Sequence, residues 1–105
     1  MVYVFDIDDT ICIRDDKNDL TYLSAYPIPE RIEKINQLYD EGHTIYFLTA
    51  RGMGRSNNKN PENLRGTTEQ QLFEWGAKYH ELFMGKPAAD YYIDDKGISD
   101  KDFFN

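Results

Sequence analysis

Two short apolar runs, residues 2–7 and residues 44–48, flank a stretch with helical periodicity, and this order restricts the fold more than any other feature of the chain. The runs are rich in β-branched and aromatic residues, so both read as buried strands. Between them Pro29 suits a first helical position, and Ile28, Ile32, Ile35 and Leu38, with Tyr39, repeat on one face. Gly42 ends that helix. A strand, a crossover helix and a second strand imply parallel pairing with a right-handed connection. Thr67 and Gln70 form a capping-box pattern for a second helix ending near Trp75, before Gly76. Residues 79–84 read as a third strand and residues 90–93 as a short fourth, while residues 101–105 are too few to assign. The expectation is an α/β fold of three layers, Rossmann-like, with strand order 3-2-1-4 and strand one central, beside strand four.

The chain has 105 residues, which is room for one domain, residues 1–105. Its 40% hydrophobic and 30% charged residues suit a globular protein rather than a disordered one. Nineteen acids against twelve bases give a net charge of −7, which weighs against nucleic acid and against anionic membranes. The single cysteine, Cys12, excludes an internal disulfide framework and a cysteine-rich zinc site. No apolar run approaches the ~18–20 residues of a membrane span, and the start of the chain does not read as a leader. A cytoplasmic location is expected.

In parallel α/β sheets ligands bind beyond the carboxyl ends of the strands. Strand one runs into Asp6-Ile7-Asp8-Asp9-Thr10, strand two into Thr49-Ala50-Arg51, strand three into Gly85-Lys86 and strand four into Asp94-Asp95. Asp6 and Asp8, two apart, face the same way. Carboxylates gathered on one edge repel one another unless a cation joins them. Oxygen donors without His or Cys point to Mg²⁺. A hydroxyl and an ammonium on the same rim suit phosphate oxygens, and a carboxylate can be a nucleophile.

These residues resemble the four motifs of the haloacid dehalogenase (HAD) superfamily: Asp6-Ile7-Asp8-Asp9-Thr10 the first, Thr49 the second, Lys86 the third and Asp94-Asp95 the fourth, in family order. The resemblance implies that Asp6 attacks phosphorus and that Asp8 protonates the leaving oxygen and then activates water. It implies Mg²⁺ held by Asp6, the Asp8 carbonyl and Asp94, with Asp95 in support and Thr49 and Lys86 on the phosphate. The stretches after the first and second motifs are short, so the chain resembles a capless member. Residues 85–96 resemble small members associated with surface-polysaccharide synthesis. The implied activity is hydrolysis of a small phosphorylated metabolite, such as a sugar phosphate. Two alternatives are a polynucleotide 3′-phosphatase, which the long polar loop after Thr49 resembles, and a receiver-type phospho-acceptor domain. A receiver, however, has its acidic pair first and its phosphorylated Asp mid-chain. An open, capless site also leaves room for a neighbouring copy of the chain to cover it.

Residues 14–26 read as a loop or small hairpin flap with exposed acids at Asp15, Asp16 and Asp19. Thr10 reads as a turn cap in a supporting role, and Asp9 as solvated. His43 and His80 fall at strand starts, opposite the site. Cys12 reads as buried and inert, and Phe73 and Trp75 as core. Residues 49–66 carry three Gly, four Asn and one Pro with no apolar periodicity, the mark of a functional loop. From residue 51 to 66 Arg51, Arg55, Lys59 and Arg65 stand against one acid, Glu62. The loop is therefore expected to recognise the leaving group, with Arg51 as its bidentate anchor.

Overall fold

The computed structural model describes residues 1–53 and 60–105. Strand β1 (Val2–Phe5) leads into a small antiparallel hairpin, β2 (Cys12–Arg14) and β3 (Ala25–Pro27). Helix α1 (Pro29–Asp40) starts with Pro29 in its first turn and leads to β4 (Thr44–Thr49). A 3₁₀ turn, Pro61–Leu64, opens α2 (Arg65–Glu74), and then come β5 (Glu81–Met84) and α3 (Asp100–Phe103). The three long-range strands are parallel in the order β1-β4-β5, with Phe5 opposite Phe47 and Phe47 opposite Leu82.

One face of this sheet is packed. Phe5, Ile45, Phe47 and Leu82 meet Ile32 and Ile35 of α1 and Leu72 of α2 in a single core. Ile35, Ile45, Phe47 and Leu72 are fully buried, so cutting any one back to Ala would cost about 2–5 kcal/mol. The alternate side chains, Val2, Val4 and Phe83, remain exposed on the other face. The reason lies in the topology. Both crossovers step in the same direction along the sheet, and right-handed crossovers then lay both helices on the same side. The expected third layer is therefore absent among the described residues.

The expected order 3-2-1-4 also needs correcting. Residues 90–93 form no strand, Tyr91 and Ile93 are exposed, and β1 lies at an edge rather than in the centre. Only five residues, 85–89, link strand three to that segment. A parallel crossover takes a dozen or more. Instead the tail ends in α3, which sequence reading left unassigned. Arg31 Nη1 of α1 donates to Asp100 at 2.7 Å, and the Phe103 ring lies 5.4 Å from that of Phe5.

Three local readings shift. Helix α2 begins at Arg65 without a side-chain cap, and Thr67 caps nothing; the Thr68 hydroxyl instead donates to Leu64 O at 2.8 Å. Phe73 is 80% exposed, because it sits one position beyond Leu72, about 100° around the helix from the buried face. Trp75 does pack on the core. The histidines are structural: His80 Nδ1 accepts from Ile45 N–H at 3.1 Å and stacks on Tyr39, and His43 Nδ1 lies 3.1 Å from the N-terminal amine. The hairpin is the only elaboration after strand one among the described residues, and no cap domain is present among them.

Candidate active site

The chain leaves β1 through a tight turn. Thr10 and Ile11 donate their N–H groups to Ile7 O, and Asp9 takes a left-handed conformation with φ 64°, which Asp tolerates. Thr10 thus serves the turn, and its carbonyl accepts from Arg31 Nη1 at 3.0 Å. Asp9 pairs with Lys17 of the hairpin at 2.7 Å, so it is not simply solvated.

The turn presents Asp6 and Asp8 in different surroundings. Asp6 is partly buried, and burial raises its pKa above the ordinary carboxylate value; Lys86 nearby and the Ile7 N–H oppose the rise, while Asp8 and Asp9 add to it. Lys86 Nζ lies 3.8 Å from Asp6 Oδ2. It gets there because Gly85, at φ +93°, turns the chain off β5 and Lys86 N–H then donates to Thr49 O at 3.0 Å. The Lys86 ammonium also sits 4.3 Å above the Tyr92 ring, a cation–π contact.

Asp8 is held by Arg51. Arg51 Nε and Nη2 donate to Asp8 Oδ2 and Oδ1, each at 3.0 Å, in a bidentate fork. Nη1 donates to Thr68 Oγ1 at 3.1 Å and to Gln71 Oε1 at 2.6 Å. Nη2 also approaches Cys12 Sγ at 3.9 Å. With 1% of its surface exposed, this guanidinium is fully engaged. The expected leaving-group anchor is therefore a strut that fixes Asp8. Sequence spacing could not reveal this, because Thr68 and Gln71 lie a turn inside α2, on the far side of a long loop. The other loop cations separate. Arg65 pairs with Glu62 and donates to Leu82 O, and Arg55 and Lys59 lie outside the described residues.

Thr49 is also buried completely, and its hydroxyl accepts from Arg51 N–H at 3.2 Å rather than lining an open rim. Cys12 Sγ lies 3.5 Å from Asp8 Oδ1; burial, then the Asp8 charge, pushes its thiol up to about 12, so the expected inertness has a physical cause. Asp94 and Asp95 are exposed, and Asp94 Oδ1 accepts from the N–H groups of Lys96 and Gly97. The structure thus joins Asp6 to Lys86 and Asp8 to Thr49 through Arg51, and leaves Asp94 and Asp95 apart. No three His, Cys, Asp or Glu side chains cluster closely enough for a metal among the described residues.

A cavity of about 600 Å³ opens over Asp6 and Asp8. The hairpin supplies one wall with Arg14, Lys17, Leu20 and Tyr22, and Gly52, Asn60, Asn63 and Leu64 supply the opposite one. Gly52 has φ +81° and a Cβ there would fall 3.2 Å from Pro61 Cα, so a side chain at this position would strain the backbone and crowd the wall. Tyr22 was missed in the sequence. Its ring packs against the guanidinium carbons of Arg14, at 4.4 Å, and Arg51, at 4.6 Å. Its φ of 63° is unusual for a bulky residue, and Gln71 Nε2 secures it by donating to Tyr22 O at 2.7 Å. An aromatic in the polar middle of the flap was the available signal. Asp19 organises that flap by accepting from Thr21 and from Ser24 N–H, which holds its carboxyl below the usual range.

Comparison with known proteins was made against this geometry. No family model matches the chain. A Bacillus cereus protein named "Putative nucleotidase" is 27% identical over 92 residues, covering 75% of this chain. The chain spans 44% of that relative's length. A crystal structure from Vibrio cholerae superposes with a TM-score of 0.81 at 24% identity, over 98% of this chain and 86% of the other. A chain of the Pnkp1/Rnl/Hen1 RNA repair complex gives a TM-score of 0.62 at 18% identity, over 87% of this chain and 27% of that one. These structures share the fold. No helix among the described residues is long and apolar enough to cross a membrane.

Proposed function

We propose that the chain is a HAD-type phosphomonoester hydrolase. The observation that carries this reading is the Asp6 carboxylate: partly buried, 3.8 Å from the Lys86 ammonium, and open to a 600 Å³ cavity whose floor it shares with Asp8. An acid kept out of water with one soft charge partner, in a cleft, is suited to chemistry rather than to stability. Asp6 Oδ attacks phosphorus as the bond to the leaving oxygen breaks, and Asp8 supplies the proton to that oxygen. Asp8 then takes a proton from water, which attacks the phosphorus of the aspartyl-phosphate and frees Asp6 and inorganic phosphate. Arg51 orients Asp8 for both transfers; one of the two hydrogen bonds is open while Asp8 carries the proton and closes when the proton is given up.

Mg²⁺ belongs to the same reading. The donors around Asp6 are all oxygen, and its burial leaves charge that one ammonium at 3.8 Å does not fully offset, which fits a hard cation. Asp6 and the Asp8 carbonyl would hold it; Asp94 would join only from a different placement of residues 90–97. When bound, the ion screens the charge on the phosphoryl oxygens. The substrate in this reading is a small phosphorylated metabolite, a sugar phosphate or a nucleotide. The nucleotidase relative favours the nucleotide and the likeness of residues 85–96 favours the sugar. The shared fold with a chain of an RNA repair complex keeps a 3′-phosphorylated oligonucleotide on the panel.

Phosphate release from a panel of sugar phosphates, nucleotides and 3′-phosphorylated oligonucleotides, with Mg²⁺ and with EDTA, tests the proposal. Repeated turnover that needs Mg²⁺ and Asp6 supports it. A single stoichiometric phosphorylation would favour the receiver alternative, and no phosphate release from any member would overturn the hydrolase.

A further inference from the structure

Resting on the reading of the cavity as the substrate site, we propose that Arg14 selects the non-reacting half of the substrate, and that this half carries a second anionic group. Among the described residues three cations line the cavity, Arg14, Lys17 and Arg51, and two of them are paired with carboxylates. Lys17 pairs with Asp9 at 2.7 Å and Arg51 with Asp8 at 3.0 Å. Arg14 faces no carboxylate among the described residues. Its Nη1 donates to the main-chain carbonyl of Asp19 at 2.8 Å, and its plane lies on Tyr22 at 4.4 Å. Its Nε is buried without a hydrogen-bond partner.

Each of these facts concerns a different cost. A buried guanidinium donor without an acceptor is destabilising unless a ligand supplies one. The Asp19 carbonyl takes Nη1, and because Nε is buried the guanidinium must turn in its plane to bring the Nε–Nη2 edge, the side that grips a carboxylate or phosphate with two parallel bonds, to a ligand in the cavity. Stacking on Tyr22 fixes the plane, so little ordering is left for the moment of binding. Two guanidinium groups, those of Arg14 and Arg51, already pack against the Tyr22 ring, which leaves less of it for a nucleobase. The wall therefore recognises charge rather than an aromatic ring. Asp6 and Lys86 mark where the transferring phosphoryl group lies, and Arg14, across the cavity on the hairpin, meets what is attached to it. The shared ligand chemistry is an oxyanion, either a carboxylate or a second phosphate.

The test uses ligands that cannot turn over, so it does not depend on catalysis. Ethylphosphonate carries one anionic group, phosphonoacetate adds a carboxylate, and methylenebisphosphonate adds a second phosphoryl group. Calorimetric titration in Mg²⁺ buffer compares the wild type with Arg14→Met and Arg14→Lys, after circular dichroism has shown both variants folded. We expect at least one doubly anionic probe to bind wild type about 10-fold or more tightly than ethylphosphonate, as a charge-assisted bidentate contact implies. That advantage should vanish in Arg14→Met and survive in part in Arg14→Lys. Which probe shows it identifies the carboxylate or the phosphate. Equal binding of all three probes to wild type, no binding at all, or an advantage that persists in Arg14→Met would overturn the proposal. If Arg14→Met does not fold, Arg14→Lys decides alone: an undiminished advantage there contradicts a bidentate grip. The hydrolase reading fails separately, if Asp6→Asn retains phosphate release.

Discussion

At the end of β1 and β4, Asp8, Arg51, Thr49, Thr68 and Gln71 hold one another across three elements, with Arg51 1% exposed. Along residues 86–97 Lys86 reaches Asp6 and Ala88 lines the cavity, while Asp94 and Asp95 face solvent. The first region is held by a network that needs every member. The second hangs from one ammonium, its Tyr92 contact and a bond to Thr49 O. Buried, mutually satisfied groups give a fixed geometry before any ligand arrives, while an exposed segment adapts to one. The contrast divides the proposed chemistry into a preformed acid–base half and an adaptable charge-binding half.

The sharpest way to break this division is at Asp6, where the two halves meet. Asp6→Asn removes the nucleophile and should lower kcat by ~10³-fold or more, measured as phosphate release. Its stability should move the other way. Because burial raises the Asp6 pKa in the folded state, the native protein binds the proton more tightly than the unfolded chain, and stability falls as pH rises through that range. Asp6→Asn should therefore raise Tm at neutral pH, and the gain should shrink as the pH drops below the raised pKa.

Arg51→Ala comes next. It strands Asp8, together with Thr68 and Gln71, without their donor. Breaking a buried pair costs about 3–5 kcal/mol, and with Asp8 21% exposed the lower end applies, enough to lower Tm by roughly 10 °C or more. Where the variant still folds, kcat/KM should fall alike for a small alkyl phosphate such as ethyl phosphate and for a larger one, because Asp8 protonates the leaving oxygen of both. Arg51→Lys should not restore it, since one ammonium cannot span three partners. A loss confined to the larger substrate would return Arg51 to the role of leaving-group anchor and dissolve the preformed half.

Much of the preformed half was legible. Short apolar runs marked β1 and β4, a 3.6-residue period marked α1, and the rule that ligands meet strand ends pointed to Asp6, Asp8, Thr49 and Lys86. The partners of Arg51 were not legible, because Thr68 and Gln71 read as ordinary helix residues until α2 is laid beside the hairpin. The reading failed most where local pattern and topology disagree. Residues 90–93 have the composition of a strand, but five linking residues cannot carry a parallel crossover, so strand four and with it the expected position of Asp94 were lost. Phe73 shows the same limit on a smaller scale, since one step around a helix turns a core side chain to solvent.

The adaptable half should respond gently. Asp94→Asn removes an exposed carboxylate and should leave Tm nearly unchanged, while raising the Mg²⁺ concentration for half-maximal activity by about 10-fold if residues 90–97 bring Asp94 to the ion. An unchanged Mg²⁺ requirement would remove Asp94 from the site. The smallest effect expected is at Cys12. With its thiol pushed up to about 12 and buried between Asp8 and Arg51, it should resist a thiol-reactive dye at pH 8 in the folded protein and react at once in denaturant. Rapid labelling of the native protein would mean that the preformed half opens readily.

The central claim is that Asp6 becomes covalently phosphorylated during turnover. Borohydride reduces an acyl phosphate to an alcohol and so marks the carboxylate that carried it. The protein is quenched into borohydride during hydrolysis of a phosphomonoester with Mg²⁺, then digested and sequenced by mass spectrometry. The account predicts reduction at Asp6 alone, dependent on substrate and absent from Asp6→Asn. Reduction at another carboxylate, or confirmed turnover with Asp6 unmodified, would contradict it.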